Sequence, residues 1–317
     1  MSRILITGAA GFIGSHLSEA LLRQGHQVVG LDNFDPFYEE AVKRLNLEAV
    51  QQHAGFQFVE GDIRDLETVR ALVSDIDVVI HLAAKAGVRP SVQDPLGYED
   101  TNIRGTSVML EACKDRKNLR FVFGSSSSVY GNNAKVPFSE DDPIESLQSP
   151  YACTKRCCEL LCQTYHSLYN LPITSLRFFT VYGPRQRPDL AIHKFVKMIE
   201  NGEALTVYGD GSMKRDFTYV DDIVSGVIRA AETCDGLKTY NLGNSSPVSV
   251  MELIEHIEKA TGKKANIEKI PQPLGEVRQT YANIDLASRD LGFSPKTQLT
   301  EGLANFVEWY REERAAV

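Results

Sequence analysis

The sequence predicts an α/β fold with a doubly wound parallel sheet and a smaller C-terminal α/β lobe. In the first half of the chain, short apolar runs alternate with longer amphipathic runs, which is typical of strands and helices joined by right-handed crossovers. After about residue 180 this alternation loosens, and Gly, Pro and Arg collect in "VYGPRQRPD" and "VYGDGSMKRD". We therefore expect a first domain over residues 1–180, a second lobe over 181–317, and a return of the chain to the first domain at about 216–243.

The predicted strands are short runs rich in Val, Ile, Leu and Phe. They cover residues 3–7, 27–31, 56–62, 77–84, 120–125, 172–179 and 238–243. The predicted helices have the spacing of amphipathic or buried helical faces. They cover residues 12–24, 66–74, 98–115, 150–169, 221–234 and 250–261. This order of elements implies that successive strands of the first domain run parallel.

The composition is that of an ordinary globular protein, with 43% hydrophobic and 24% charged residues among 317. A net charge of −8 argues against nucleic acid or an anionic membrane as the main partner. No apolar run approaches the roughly 20 residues that a membrane span needs. The start, "MSRILITGAAGFIGSH", lacks the layout of a signal peptide. We therefore expect a cytoplasmic protein.

The six cysteines do not have the pattern of a metal site. Four of them lie in "YACTKRCCELLCQ", where their spacing fits successive turns of one helix. Zinc sites instead use CxxC pairs with further Cys or His ligands. We therefore predict that the protein binds no metal through these cysteines. We expect them to be small buried thiols of a protein in a reducing compartment. These are Cys113, Cys153, Cys157, Cys158, Cys162 and Cys234.

A glycine-rich turn between the first strand and helix predicts a dinucleotide site. "ILITGAAGFIGSHL" contains Gly8, Gly11 and Gly14, which would allow a tight turn, close approach of a pyrophosphate and close helix packing. The helix N-terminus would offer free N–H groups to the phosphates. The spacing is GxxGxxG rather than GxGxxG, so a tight turn without a ligand is the alternative. A Rossmann domain explains the turn together with the elements around it.

An acid at the end of the second strand favours NAD over NADP. Asp32 would accept hydrogen bonds from the adenosine ribose and repel a 2′-phosphate. Asp62 ends the third strand near the expected adenine, although it could equally be a capping residue. Asn102 opens a helix that passes the cofactor, where it would either contact NAD or bond only backbone. The remaining predicted cofactor contacts are Phe12, Ile13, Asn33, Ile63, Ala83, Lys85, Tyr151 and Lys155.

Tyr151 and Lys155 are four residues apart on a predicted helix, so they share one face. A free tyrosine has a pKa near ~10. A neighbouring ammonium and the positive nicotinamide of an oxidised cofactor would favour the phenolate. Tyr151 could then take a proton from a sugar hydroxyl while a hydride leaves the same carbon. The alternative is a surface pair on a helix, which the preceding NAD motif disfavours.

Several motifs in this order resemble the extended short-chain dehydrogenase/reductase superfamily, in particular its nucleotide-sugar epimerases and dehydratases. They are TGxxGxxG, the acid at 32, "HLAA", the serine run before "VYG", and YxxxK. The resemblance extends over nearly the whole chain, to "PLGEVRQTYAN". It implies bound NAD, a UDP-sugar substrate and a second lobe that binds the nucleotide sugar. It also implies a homodimer in which helices 98–115 and 150–169 pair across the axis.

The resemblance implies different roles for the individual serines of "FGSSSSVYG". Ser126 corresponds to the catalytic residue that hydrogen-bonds the reacting hydroxyl beside Tyr151. Ser127 and Ser128 occupy places where dehydratases and decarboxylases of the family carry an acid. With no acid there to drive loss of water, the sequence favours epimerisation, in which the sugar is oxidised, turned over and reduced from its other face. Ser125 is expected to be structural.

A uronate is the predicted substrate. Thr180 stands where many relatives have Asn, so three hydroxyls, at 127, 128 and 180, could converge on a carboxylate at the sugar's fifth carbon. "LDNFDPFY" and "TVYGPRQRPDLAIHKF" resemble the UDP-glucuronate 4-epimerases. The 4-keto intermediate would be a β-keto acid, and fixing its carboxylate would suppress loss of CO2. A plain polar loop is the alternative for Ser127 and Ser128.

The nucleotide and phosphates require cations, for which arginine is well suited. Arg215 matches the family's phosphate-binding arginine, Arg278 is a second candidate, and Glu276 is a candidate for the uridine ribose. Arg185 lies in the loop over the sugar, and Arg89 follows the fourth strand with Lys85. His81 ends a buried strand and is predicted to be a core residue rather than a base.

Other functions stay open. The first is a UDP-glucose/UDP-galactose 4-epimerase, in which the hydroxyls would bind a hydroxymethyl group. The second is a UDP-glucuronate decarboxylase, against which the missing loop acid counts. The third is a catalytically idle NAD-binding regulator, which the intact Ser126, Tyr151 and Lys155 disfavour.

Overall fold

A seven-stranded parallel sheet forms the centre of the larger lobe. The computed structural model describes residues 1–271 and 279–315. The strands of this sheet are β1 (Arg3–Thr7), β2 (Gln27–Asp32), β3 (Phe56–Glu60), β4 (Val78–His81), β5 (Arg120–Ser126), β6 (Ile173–Phe178) and β10 (Leu237–Leu242). Their spatial order is β10-β6-β5-β4-β1-β2-β3, with every neighbouring pair parallel. The order reverses between β1 and β4, which creates a crevice at the carboxyl ends of the strands.

Helices cover both faces of this sheet, because successive residues of each buried strand point to opposite sides. Ile4 and Ile6 pack into one core with helices α1 and α9, whereas Leu5 packs into another with α3, α6 and α7. The helices of this lobe are α1 (Phe12–Arg23), α2 (Glu40–Gln51), α3 (Leu66–Val73), α4 (Val88–Gln93), α5 (Pro95–Tyr98), α6 (Gly105–Cys113), α7 (Pro150–Tyr169) and α9 (Val220–Thr233). The predicted doubly wound fold class is confirmed.

The second lobe contains two small sheets and four helices within the described residues. One sheet joins β7 (Thr180–Tyr182), β9 (Lys214–Tyr219), β11 (Pro247–Ser249) and β13 (Gln279–Thr280); the other pairs β8 (Ala204–Tyr208) with β12 (Asn266–Ile270). The helices are α8 (Ala191–Asn201), α10 (Val250–Thr261), α11 (Asp285–Leu291) and α12 (Leu299–Ala315).

Three local features differ from the sequence-based expectations. The predicted helix at 98–115 is interrupted by a π-helical turn, Glu99–Arg104, between α5 and α6. Strand β4 ends at His81, so residues 82–85 leave the sheet and enter the crevice. Cys153 is exposed and Cys157 is half-buried, because both lie on the outer face of α7 rather than in the core.

Among residues 1–271 and 279–315, every helix is too short or too polar to span a bilayer. The four buried thiols and the two on the surface of α7 are all unpaired in the structure.

Candidate active site

A cavity of about 500 Å³ lies at the carboxyl ends of the central strands. Its wall combines the glycine turn, the segments that follow β2 and β4, the end of β5, the start of α7 and the first residues of the second lobe. Many of the predicted site residues line it: Gly8, Gly11, Phe12, Ile13, Gly14, Asp32, Asn33, Ile63, Ala83, Lys85, Ser126, Ser127, Ser128, Tyr151, Lys155 and Thr180. The fold thus brings the predicted cofactor-binding residues and the predicted catalytic residues together in one cavity.

The glycine turn fits a pyrophosphate. Gly8 has φ of +74°, and a Cβ at Gly14 would lie 2.1 Å from the carbonyl oxygen of Gly8, so helix α1 can approach the strand only without that atom. Gly11 caps α1 and provides no side chain to bond the first N–H groups of the helix. These N–H groups and the helix dipole are therefore available to an anion in the cavity.

Asp32 has the position and surroundings expected of a ribose acceptor. Its two carboxylate oxygens accept hydrogen bonds from the backbone N–H groups of Ala10 and Phe34, at 3.0 and 2.9 Å. Burial raises the pKa of Asp32, and those hydrogen bonds and the Lys43 ammonium oppose the rise. The carboxylate is thereby fixed at the end of β2 beside the glycine turn, which fits the ribose of NAD.

The segment after β2 adds cavity residues that the sequence analysis did not identify. Phe37, Tyr38 and Lys43 line the cavity, and the Lys43 ammonium lies 4.5 Å from the centre of the Tyr38 ring. Lys43 is buried and donates a hydrogen bond to the backbone carbonyl of Asp35. Phe37 and Tyr38 belong to "LDNFDPFY", and Lys43 lies in the helix that follows. The adjacent aromatic residues were the feature of the sequence from which a cavity wall could have been predicted here.

The side chains of Ser126 and Tyr151 form a hydrogen bond with each other in the wall of the cavity. Ser126 ends β5, and Tyr151 lies in the first turn of α7, whose N-cap Ser149 accepts a hydrogen bond from the N–H of Ala152 at 3.1 Å. Burial raises the pKa of Tyr151, while a hydrogen bond from Ser126 and the charge of Arg187 oppose the rise. The pair can therefore hold one hydroxyl group of a substrate between them.

Lys155 lies one helical turn after Tyr151 but is directed at strand β5. Its buried ammonium donates a hydrogen bond to the carbonyl of Gly124 at 2.7 Å. Burial lowers the pKa of Lys155 to about 8. The charge that opposes the rise in the pKa of Tyr151 is that of Arg187, whereas the expectation from the sequence was an effect of Lys155 together with the nicotinamide of NAD.

The serine run forms a short 3₁₀ turn that points hydroxyl groups into the cavity. Ser126 accepts a hydrogen bond from the N–H of Ser128 at 3.2 Å, and their hydroxyl oxygens also lie 3.2 Å apart. Ser127, Ser128 and Thr180 line the same cavity. Among the described lining residues, the carboxylates are Asp32 and Asp35, both at the end of β2 or just beyond it. The part of the cavity formed by Ser126, Ser127, Ser128 and Thr180, called the sugar end below because the sugar is predicted to bind there, therefore presents hydroxyl groups rather than acids.

A buried ion pair holds this turn against α7. Glu159 on α7 and Arg177 on β6 make two contacts, at 2.9 and 3.0 Å, and both are almost fully buried. The hydroxyl of Ser125 donates to Glu159 at 2.7 Å, and Arg177 donates to the hydroxyl of Tyr130 at 3.0 Å. Ser125 and the "VYG" tyrosine thus connect the serine run to the helix that carries Tyr151.

His81 is a core residue, as its place at the end of a buried strand predicts. Its two ring nitrogens lie 2.7 Å from the hydroxyl of Thr7 and 3.1 Å from that of Thr106. Burial lowers the pKa of His81 to about 3, and the charge of Lys155 adds to this effect.

The structure places two of the predicted cofactor contacts, Asp62 and Asn102, outside the cavity wall. The Asp62 carboxylate is bound by Arg64 and by the amide of Asn33, and the bonds from Arg64 lower its pKa to about 2. Asn102 is buried in the π-helical turn and bonds the backbone of Lys85 and the hydroxyl of Thr154. Direct contact of Asp62 or Asn102 with the cofactor stays a prediction. In this structure the two residues bond Asn33 and Lys85, which do line the cavity.

Arg185 also lies outside the cavity wall in this structure. Its guanidinium turns away from the cavity and pairs with Glu19 of α1 at 3.1 Å. Arg187, two residues later in the same loop, lines the cavity instead. It pairs with Asp189 at 2.8 Å and lies 5.0 Å from the centre of the Phe37 ring. The sequence predicts an arginine-rich loop at this position, but it does not predict which arginine side chain points into the cavity.

Two further predicted substrate residues, Arg89 and Arg215, contact or belong to the second lobe. Arg89 on α4 packs over the ring of Tyr208, 5.0 Å from its centre, and Arg215 on β9 donates to the carbonyl of Lys214 at 2.8 Å. Neither side chain lines the cavity. Glu276 and Arg278 lie outside the described residues.

A family model described as GDP-mannose 4,6 dehydratase matches residues 5–306. The chain belongs to this family. UDP-glucuronate 4-epimerase 4 of Arabidopsis thaliana is 44% identical over 97% of this chain and 75% of the plant protein. These matches confirm the predicted resemblance to NAD-dependent epimerases and dehydratases.

Solved structures of the family have the same fold. The crystal structure of the Bacillus cereus UDP-glucuronic acid 4-epimerase with UDP-glucuronic acid and NAD has a TM-score of 0.93 at 42% identity, and the match covers 98% of this chain and 99% of that one. The Thermotoga maritima UDP-glucose 4-epimerase with UDP-glucose has a TM-score of 0.89 at 33% identity, with coverage of 98% and 99%.

Proposed function

We propose that this protein interconverts UDP-glucuronate and UDP-galacturonate by epimerisation at the fourth carbon of the sugar, with bound NAD. The prediction of an NAD-dependent UDP-sugar 4-epimerase agrees with its uronate-epimerase relatives. The observation that carries the proposal is the meeting of Ser126 and Tyr151 in a cavity whose sugar end holds hydroxyl groups and the guanidinium of Arg187. This set can remove a proton and can hold a carboxylate.

NAD, when bound, accepts a hydride from the fourth carbon of the sugar and later returns it. The chain supplies the rest of the chemistry. Ser126 holds the hydroxyl at that carbon, and Tyr151 takes its proton during oxidation and returns a proton to the oxygen during reduction. Glycines 8, 11 and 14 and Asp32 hold the cofactor at the opposite end of the same cavity.

Control of the carboxylate separates this reaction from decarboxylation. A 4-keto uronate is a β-keto acid, and it loses CO2 when the carboxylate stands perpendicular to the keto group. Ser127, Ser128 and Thr180 can each donate a hydrogen bond, and Arg187 can add a charge-assisted one. Such contacts would hold the carboxylate in another orientation while the sugar turns over.

A neutral UDP-hexose is the second candidate, and it is supported by the similarity to UDP-glucose 4-epimerase. The presence of Arg187 in the cavity favours the anionic sugar, because a partly buried guanidinium gains more from a carboxylate than from a hydroxymethyl group. A decarboxylase would need a loop acid where Ser127 and Ser128 stand. An idle regulator would have no need of the Ser126–Tyr151 pair.

We also propose a cytoplasmic homodimer. Apolar side chains are exposed on α7 and on the neighbouring α4 and α5, including Leu160, Leu168, Val92 and Leu96, the last 76% exposed. A second copy of this face would remove them from water. Light scattering of a Leu160→Asp variant should give a lower mass than that of the unmodified protein.

The test of the function is to incubate the purified enzyme separately with UDP-glucuronate and UDP-glucose and to follow the products by NMR. UDP-galacturonate should form much faster than UDP-galactose, without CO2. Preferential formation of UDP-galactose would favour the neutral-sugar activity. Release of CO2 as the main product would identify a decarboxylase, and no turnover of either sugar would favour the regulator.

A further inference from the structure

The loop between β7 and α8 carries two arginines that point in opposite directions. Arg187 faces the cavity, and its guanidinium is bound by Asp189 and the backbone carbonyl of Ala86. Arg185 faces outward and pairs with Glu19 on the cofactor-binding helix α1. The exposed fractions of the Arg185 and Glu19 side chains are only 20% and 28%, so solvent screens this ion pair less than a fully exposed one.

The backbone of this loop has an unfavourable conformation. Gly183 has φ of +146°, and a Cβ there would lie 2.6 Å from a methyl carbon of Val220. Arg185 itself has φ of +62°, a region that residues with a Cβ rarely adopt. A conformation of this kind persists only where the surrounding contacts hold it.

Helix α1 supplies those contacts on the outer side of the loop. The ring of His16 donates a hydrogen bond to the carbonyl of Pro184 at 2.9 Å, and Glu19 binds Arg185 one turn later. On the inner side, the buried amide of Gln186 donates to the carbonyl of Val181 at 2.9 Å. The positive φ of Arg185 turns the chain between these anchors, so that the following Arg187 enters the cavity.

We propose that Arg185 is a positioning residue whose ion pair with Glu19 holds Arg187 toward the carboxylate of the substrate. This inference rests on the proposed function, because the group that Arg187 would meet is the uronate carboxylate. Arg185 contributes no contact to the sugar, and its effect passes through the backbone of residues 185–187. The helix that begins at the glycine turn would thereby support the cofactor site and the sugar site together.

The test compares steady-state kinetics of the holoenzyme with UDP-glucuronate and UDP-glucose. Arg185→Ala and Glu19→Gln should each raise KM for UDP-glucuronate about fivefold, which corresponds to about 1 kcal/mol, and change kcat little. KM for UDP-glucose should stay within about twofold, because that sugar has no carboxylate for Arg187 to bind. The double variant should be no worse than Arg185→Ala alone.

Three further variants separate the effect of the ion pair from effects of the backbone conformation and of general stability. Arg185→Gly relieves the positive φ but removes the ion pair, so it should resemble Arg185→Ala, whereas Arg185→Lys should recover part of the loss. Arg23→Ala is the matched control, since Arg23 also contacts Glu19, at 3.4 Å, but is 69% exposed and on α1 itself. It should leave both KM values unchanged.

Three outcomes would overturn the proposal: an unchanged KM for UDP-glucuronate in Arg185→Ala, an equal rise for both sugars, or full recovery by Arg185→Gly. If Arg185→Ala does not fold, Glu19→Gln supplies the same comparison. Failure of the proposed function is distinguishable, since the unmodified enzyme would then not turn over UDP-glucuronate. If the unmodified enzyme does not turn over UDP-glucuronate, amide hydrogen exchange can still test the ion pair. The N–H of Gln186 bonds the carbonyl of Gly183, and its exchange should be faster in Arg185→Ala and in Glu19→Gln than in the unmodified protein.

Discussion

The ammonium of Lys155 donates a hydrogen bond to the backbone carbonyl of Gly124, two residues before the proposed catalytic residue Ser126, at 2.7 Å. This contact joins the start of α7 to the end of β5, the two elements that carry Tyr151 and Ser126. Lys155 thus helps to fix the distance between Tyr151, the proposed proton acceptor, and Ser126, which we propose holds the substrate hydroxyl. Lys155 also lines the cavity, so it brings a positive charge to the cavity wall.

Because burial lowers the pKa of Lys155 to about 8, its charge should be lost as the pH rises through that value. We predict that kcat falls on the alkaline side near pH 8. In Lys155→Arg, any remaining activity should lack this alkaline decrease, since a guanidinium stays protonated. Stopped assays from pH 6 to 10 would measure both profiles. An identical decrease in the two enzymes would assign it to another group.

The double variant Ser127→Ala/Ser128→Ala should release CO2 from UDP-glucuronate as a side product. Two of the groups that would orient the carboxylate are removed, so part of the keto intermediate can reach the perpendicular orientation. Bicarbonate release and NMR of the sugar products measure the ratio of decarboxylation to epimerisation. Turnover of UDP-glucose serves as the control and should change little. An unchanged product ratio would remove the orienting role of both serines.

Glu159→Gln should destabilise the protein by about 3–5 kcal/mol, because it leaves the buried charge of Arg177 without the carboxylate that neutralises it. Urea unfolding followed by circular dichroism would measure the loss. Glu67→Gln is the comparison, because Glu67 is 85% exposed and pairs with Arg70 on the surface of α3. Its effect should be below about 1 kcal/mol. Similar effects of the two substitutions would contradict the structural role of the buried pair.

His81 should make stability depend on pH. Its pKa is lowered from 6.5 to about 3 in the folded protein, so the unfolded chain binds the proton more tightly. The associated stability is complete above about pH 6.5 and should be lost as the pH falls toward 3, at up to about 1.4 kcal/mol per pH unit. Urea titrations between pH 7 and 4.5 should show a smaller slope for His81→Gln. The surface substitution His53→Gln should leave the slope as it is.

The spacing of residues in the sequence was sufficient to predict the candidate site residues that lie within a single turn, strand or helix. Gly8, Gly11 and Gly14 act within one turn, and Tyr151 and Ser126 each stand at the end of a predictable element. Their meeting followed from parallel strands, whose carboxyl ends share one edge of the sheet.

Residues whose direction depends on distant contacts could not be placed from the sequence. Arg185 turns outward because of its positive φ and because of Glu19, which is 166 residues away. The side-chain amide of Asn102 donates a hydrogen bond to the backbone carbonyl of Lys85. Asn102 lies in a π-helical turn, which the periodicity of the sequence did not predict. Lys155 shares a helical face with Tyr151, but its ammonium is bound to the neighbouring strand.

The most direct measurement is the turnover of UDP-glucuronate by Tyr151→Phe. The variant keeps the ring that packs edge-on against Tyr98, at 6.2 Å between centres, and removes only the hydroxyl. It should bind UDP-glucuronate and NAD with affinities near those of the unmodified enzyme in calorimetry, and its epimerisation rate should fall by at least about a hundredfold. Epimerisation at the original rate by a correctly folded Tyr151→Phe enzyme would contradict the account.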